Sequence, residues 1–338
     1  MMSSAALSAI VAVAAVISAG LVIVLLPLLR RHALTHPNAR SSHIAPTPQG
    51  GGIAVIAATL LVAASAVLLV PRDAALSSAS LSLVGAATLF IALVGAADDL
   101  KPIEVAPRLL LQALAVVVVI ASLPAELRVV APLPWWVERA LLLIACLWFV
   151  NLTNFMDGID WMTVAEFVPI TFGLALIGIF GGLPAEGVIV ALTLCGGLIG
   201  FAPFNRPVAR IFLGDVGSLP IGLLLGWLLI LLAGNGHLAA ALILPLYYLA
   251  DATLTLIRRI AQREPFWQAH RTHFYQRATE RGWSVPAIVA RAFAVNLALV
   301  ALALATVLWP EGLSTAVALV AAAALVAWLL FALARGKP

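Results

Sequence analysis

The run Ala5–Leu29, AALSAIVAVAAVISAGLVIVLLPLL, is followed at once by Arg30-Arg31. It holds no charged residue and is longer than the roughly 20 apolar residues that a helix needs to cross a bilayer core. It is also too long for the core of a signal peptide and has no basic residue before it. It is therefore expected to stay in the membrane as a helix with its N-terminal end outside. Ten more runs of this kind follow, at 52–70, 79–97, 107–123, 139–154, 162–181, 185–202, 217–233, 238–257, 287–309 and 312–334. The strict alternation of a membrane barrel is absent, so the expected fold class is all-α, a polytopic helix bundle of about eleven spans. Residues 1–338 read as one membrane-embedded domain, since no loop is long enough to fold alone.

Composition agrees, with 63% hydrophobic and only 10% charged residues in 338, far from the roughly 25% charged of an ordinary soluble domain. Of the nineteen Lys and Arg, all but Arg72, Arg128 and Arg139 fall in loops after odd-numbered runs, in the opening turns of the runs that follow those loops (Arg108 and Arg291), or on the C-terminal tail. Basic residues mark the cytoplasmic side, so these loops are expected to face the cytoplasm. The net charge of +4 is thereby read as topology, and nucleic-acid binding is not expected. Cys146 and Cys195 lie inside apolar runs without disulfide or zinc spacing.

The chemistry-bearing residues crowd the predicted cytoplasmic loops. Asp98-Asp99 closes the third run, where two acids oppose the helix dipole and gain nothing as ordinary termini. In NLTNFMDGID (151–160) Asn151, Asn154 and Asp157 are spaced by three, neighbours on a helical surface. Asp160 joins them only if the helix loosens at Gly158. Amides and carboxylates facing one way suit a hard cation beside phosphates. In FLGDVGS (212–218) two glycines flank Asp215, and Ser218 reads as an N-cap with Pro220 in the first turn.

The loop 258–282 interleaves Arg with Phe266, Trp267, Phe274 and Tyr275, which topology and an interfacial helix largely explain. His270, Arg271 and His273 are less easily explained that way, since clustered donors clamp phosphates. Arg40 and His43 precede a Pro- and Gly-rich turn (46–52) and offer charge to an anionic headgroup, and Arg108 ends DDLKPIEVAPR. Asp251 lies about two turns inside the ninth run, a functional hypothesis by default. Glu166, early in the sixth, reads as reaching the interface.

Taken in order, the PxxGG-type loop, the DD pair, N-x-x-N-x-x-D-G-x-D, G-D-x-G-S and the basic histidine loop resemble the polyprenyl-phosphate N-acetylhexosamine-1-phosphate transferases of the glycosyltransferase 4 family. The resemblance spans about residues 36–282. It implies that undecaprenyl phosphate attacks a UDP-HexNAc, releasing UMP, at the inner membrane and with the site facing the cytoplasm. It further implies magnesium, with manganese as a substitute, held by Asp215, Asn154 and Asp157. Asp98 and Asp99 match the acidic pair linked to the lipid-phosphate nucleophile, and His270 and His273 the loop that contacts substrate phosphates. Asn151, Arg40, His43, Arg108 and Arg271 are the further candidates for substrate binding. Membrane lipid is an implied partner, and a homodimer is compatible.

Trp161 replaces the family's glycine after Asp160, which puts the local backbone in question. His270-Arg271-Thr272-His273 replaces the histidine triplet of the peptidoglycan-precursor enzyme, so O-antigen-initiating members are the better match. Three other readings compete: that peptidoglycan-type phospho-MurNAc-pentapeptide transferase; a transporter, which should place its polar groups near the midplane; and a CDP-alcohol phosphotransferase, whose DG-x-x-A-R is missing.

Overall fold

The computed structural model describes residues 3–35, 46–68, 76–265 and 270–335. The protein is an all-α polytopic membrane protein. Its helices are α1 (Ser4–His32), α2 (Gly52–Val67), α3 (Ser78–Leu100), α4 (Val105–Ser122), α5 (Trp135–Met156), α6 (Met162–Ile179), α7 (Ala185–Phe201), α8 (Asp215–Leu232), α9 (Leu238–Ile243), α10 (Leu246–Ala261), α11 (Phe274–Glu280), α12 (Val285–Leu308) and α13 (Gly312–Arg335). Two short antiparallel strands, β1 (Leu34–Thr35) and β2 (Thr47–Pro48), lie between α1 and α2.

The expected eleven spans do not appear helix for helix. Among the described residues eight segments are long and apolar enough to cross a bilayer, Asp215–Ile243 counting as one, while Gly52–Val67 and Ala185–Phe201 are apolar but shorter. The ninth run is broken. Pro245 precedes α10, and proline supplies no N–H to continue the ladder of α9. A π-type turn over Ala233–His237 joins α8 to α9.

Helix α8 is apolar around its whole circumference, and every residue from Val216 to Leu232 is buried. A helix of that kind belongs inside the bundle, and α2, α3, α5 and α7 surround it. The approach of α2 is set by two glycines. A Cβ on Gly52 would stand 2.2 Å from the Gly217 Cα, and one on Gly217 would stand 2.6 Å from the Gly52 Cα. The backbone ladder continues the contact, with Gly51 and Gly52 N–H donating to the Phe212 and Leu213 carbonyls at 2.9 and 2.8 Å. Turn 46–52 is thus sewn to the start of α8.

Trp161 adopts the left-handed conformation that its glycine counterpart would favour, at φ 63° and ψ −2°. A non-glycine residue there carries strain on the order of 1–3 kcal/mol. Two bonds oppose it: Trp161 N–H donates to Asn205 Oδ1 at 2.8 Å and the indole Nε1–H to the Ala202 carbonyl at 2.6 Å.

Gly52→Ala is expected to force α2 from α8 and to lower stability by about 1–3 kcal/mol. Thermal unfolding of the purified protein in detergent at fixed scan rate reads this, and an unchanged midpoint would contradict the packing described.

Candidate functional site

Helix α8 starts without a side-chain cap of its own, since Gly214 occupies the N-cap position. The missing acceptors come from α3. Asp99 Oδ1 accepts the Asp215 N–H at 2.9 Å and Oδ2 the Val216 N–H at 3.1 Å. A carboxylate there satisfies two of the orphan donors at a helix start and meets the positive end of the dipole. Gly214 permits the approach, with φ +78° and Asp99 Oδ2 where a Cβ would come within 2.5 Å. Ser218, expected as the N-cap, lies instead inside the first turns of the helix. Both oxygens of Asp99 are engaged in holding α8, a part that the sequence did not suggest. Gln49, also not singled out from the sequence, fixes the same corner by donating Nε2–H to the Asp99 carbonyl at 2.7 Å.

Asp98 faces the other way. It accepts the Ile103 N–H and pairs with Arg108 Nη1 at 2.9 Å, so this arginine is occupied by an acid. The carboxyl of Asp98 also faces that of Asp215 and interacts with it. Two ionised carboxylates keep such an approach only with a proton or cation between them. Asn154 completes the group from α5, donating Nδ2–H to Asp215 Oδ1 at 2.7 Å and to Ser218 Oγ at 3.0 Å.

Helix α5 ends at Met156, with Asp157 as its C-cap. Asp157 accepts the Thr163 hydroxyl, a partner not foreseen. Burial and the neighbouring charges of Asp99 and Asp160 push its carboxyl up to about 6 against that hydrogen bond. Asp160 is carried elsewhere: its Oδ2 accepts the Ala209 N–H at 3.0 Å, which holds the 202–213 loop. Asn151 also turns away, donating to Gln112 Oε1 and the Leu147 carbonyl, both at 2.9 Å. Gln112 was legible as the one polar residue between Leu109 and Ala121.

The final loop comes to the end of α5. The His273 ring lies 6.4 Å from Phe155 and 4.9 Å from His270, and Tyr275 Oη–H donates to the Phe155 carbonyl at 3.1 Å. His270 Nδ1 pairs with Thr272 Oγ1 at 2.9 Å, and Arg271 interacts electrostatically with Tyr275. Asp251 holds this loop. It is fully buried, accepts the Phe274 N–H at 2.9 Å and the Tyr275 N–H at 3.3 Å, and lies 3.3 Å from His273 Nδ1. Glu166, expected at the interface, is likewise fully buried. Arg40 and His43 lie outside the described residues.

The donor set fits a hard divalent cation. Among the described residues no group of three His, Cys, Asp or Glu is placed to hold a metal ion. Magnesium asks for less, usually one or two carboxylates with water and substrate phosphate filling the rest. Asp215, whose carboxyl faces that of Asp98, and the nearby Asp157 are the acids suited to hold it, and the Asn154 amide lies against Asp215.

The family model for glycosyl transferase family 4 matches residues 81–233, which contain all of this cluster except the final loop. Relatives include a phospho-N-acetylmuramoyl-pentapeptide-transferase of Enterococcus faecalis, 40% identical over 118 residues, 35% of each chain. A probable undecaprenyl-phosphate N-acetylglucosaminyl 1-phosphate transferase of Bacillus subtilis is 27% identical over 296 residues, 81% of this chain and 78% of its own. A decaprenyl-phosphate N-acetylglucosaminephosphotransferase of Mycolicibacterium smegmatis is 29% identical over 218 residues, 59% of this chain and 53% of its own. The chain thus spans about a third of the first relative, four-fifths of the second and half of the third.

Asp99→Ala is expected to cost about 1–2 kcal/mol as a lost helix cap, with Asp99→Asn, which keeps one acceptor, falling between. Equal melting of all three proteins would remove Asp99 from the scaffold.

Proposed function

The chain belongs to glycosyl transferase family 4, and from that membership and the acid cluster we propose that it transfers a sugar 1-phosphate from a UDP-N-acetylhexosamine to undecaprenyl phosphate. The proposed setting is the cytoplasmic face of a bacterial inner membrane, as the first membrane step of O-antigen or another surface polysaccharide. The observation that carries the reading is the meeting of Asp98, Asn154, Asp157 and Asp215 where α3, α5 and α8 end or begin.

In the proposed reaction an oxygen of the lipid phosphate forms a bond to the sugar-linked phosphorus. The bond from that phosphorus to the oxygen bridging to UMP breaks, and UMP leaves. A phosphate with its second pKa near 6 is mostly dianionic at neutral pH, so no strong base is required. The burden is positioning and neutralising charge, and bound magnesium would supply much of the second. Asp215, Asp157 and Asn154 would hold the cation. His270, Arg271 and His273 would meet phosphate oxygens from the loop beside Phe155. One phosphoanhydride replaces another, so the reaction is expected to be readily reversible.

A second reading, transfer of phospho-MurNAc-pentapeptide, is favoured by the 40% identity to the E. faecalis relative. The longer alignment with the B. subtilis relative and the HRTH sequence of the final loop favour the first. UDP-GlcNAc is therefore the leading donor. Purified protein given undecaprenyl phosphate, magnesium and a panel of UDP-sugars decides between them through the lipid product. No product from any donor would overturn both.

Asp215→Asn and Asp157→Asn are each expected to reduce magnesium-dependent exchange of labelled UMP into UDP-sugar by at least ~100-fold, on the scale of losing one main electrostatic contact. For Asp157 the folded carboxyl is raised, so its ionisation costs stability as pH rises through about 6. Asp157→Asn should then melt no lower than the parent at pH 7. Near-normal exchange by either folded variant would sink the assignment.

The orientation rests on the basic loops. A cysteine at exposed Glu280 should react only with reagent admitted to the cytoplasm, since native Cys146 and Cys195 are buried. Labelling from outside intact cells would reverse the topology.

A further inference from the structure

The acids assigned above to the cation come from segments far apart in the chain: Asp157 closes α5 and Asp215 opens α8. One tie between these segments lies inside the cluster, where Asn154 Nδ2–H meets Asp215 Oδ1 at 2.7 Å. A second tie lies outside it. Trp161 N–H donates to Asn205 Oδ1 at 2.8 Å, and the Nδ2–H of that same amide donates to the Ile211 carbonyl at 3.0 Å. The Trp161 indole holds the Ala202 carbonyl at 2.6 Å, and Asp160 Oδ2 holds the Ala209 N–H at 3.0 Å. The 202–213 loop is thus fastened along its length to the turn that follows Asp157. Past Ile211 little freedom is left before Asp215, because Phe212 N–H bonds the Pro48 carbonyl at 2.9 Å and the Leu213 carbonyl accepts Gly52 N–H at 2.8 Å.

The two ties close a ring. From Asn154 the chain runs through Asp157 to Trp161, crosses to Asn205 and Ile211, continues to Asp215 and returns to Asn154. Both acids sit on this ring, so their separation follows from how it closes. Magnesium is exacting about that separation, since it demands near-ideal octahedral geometry with ligands at about 2.0–2.1 Å. The conformation at Trp161 decides the closure. Its left-handed φ of 63° aims the N–H at Asn205, and it also sets the first turn of α6, from which the Thr163 hydroxyl donates to Asp157. Glycine adopts that conformation freely, whereas a residue with a Cβ must be held in it.

We infer that Trp161 is a positioning residue: held left-handed by its indole bond to Ala202, it clamps the 202–213 loop through Asn205 and so sets Asp157 and Asp215 in register for one divalent cation. The cation part of this inference rests on the reading above, whereas the clamp does not.

Two substitutions separate backbone conformation from bulk. Trp161→Ala loses the indole bond and keeps the strain. Trp161→Gly loses the same ring but takes the left-handed turn unaided and keeps its N–H for Asn205. Manganese(II) alone, titrated into the substrate-free protein in detergent and followed by electron paramagnetic resonance, should bind Trp161→Ala at least ~10-fold more weakly than the parent, the scale of losing a group that orients a metal ligand. Trp161→Gly should recover most of that loss. In an Ala209→Cys background, a buried loop position, maleimide labelling should be slow in the parent and fastest in Trp161→Ala. In the exchange assay Trp161→Ala should raise the magnesium concentration for half-maximal rate and leave the rate at saturating magnesium near that of the parent, which a general loss of folding would not do. If Trp161→Ala does not fold, Trp161→Phe, which removes the indole donor and keeps an aromatic ring, takes its place. Parent-like manganese affinity in the folded variant would overturn the inference, as would faster labelling without weaker binding. Trp161→Gly no better than Trp161→Ala would overturn it too, leaving the indole as a filler of space. A parent that binds no manganese would overturn the cation site and this inference with it. One that binds manganese but transfers no sugar would overturn only the transferase reading.

Discussion

The architecture depends on how helix starts are satisfied inside an apolar bundle. Water is not there to accept their free N–H groups, and an unsatisfied one costs several kcal/mol in hydrocarbon. Helices α8 and α11 both begin in the protein interior, α8 without a side-chain cap bond of its own and α11 with only the local His273–Gln276 capping box. In both cases an acid from a different helix supplies acceptors: Asp99 for α8 and Asp251 for α11. These carboxylates are expensive to bury alone and become tolerable because the N–H groups and helix dipoles meet them.

The same device places the chemistry. Because Asp99 must reach the start of α8, its neighbour Asp98 is brought against Asp215, and the end of α5 follows with Asn154. Because Asp251 must reach the start of α11, the histidine loop is brought to Phe155. The functional groups sit where they do as a consequence of helix ends being tied together. This also bears on the transporter reading, since the buried acids Asp251 and Glu166 are both engaged as structural acceptors.

Much of this was legible. Long apolar runs located the helices, and residue types spaced by three located the end of α5. The DD pair and the glycine-flanked Asp215 were found because each breaks the pattern expected of an ordinary helix terminus. Less legible was the division of labour within them. Adjacent Asp98 and Asp99 look equivalent in the chain, yet one faces Arg108 and Asp215 while the other caps a helix more than a hundred residues away. Asn151 and Asp160 fit the spacing of the central motif but point to Gln112 and the Ala209 N–H. The break before α10 had its signal in Pro245, which the overall hydropathy of the run obscured. Trp161 raised doubt about the backbone, and the left-handed turn is kept there through two hydrogen bonds that the sequence does not announce.

The sequence by itself determined that the chain crosses a membrane as helices, because hydropathy and helix length are local properties measured against a bilayer of fixed thickness. It also determined which polar residues were too costly to be incidental. Only the tertiary structure decided what each does, because a carboxylate's role depends on the donors it meets. Here those donors are backbone N–H groups and amides brought close by packing rather than by neighbourhood in the chain.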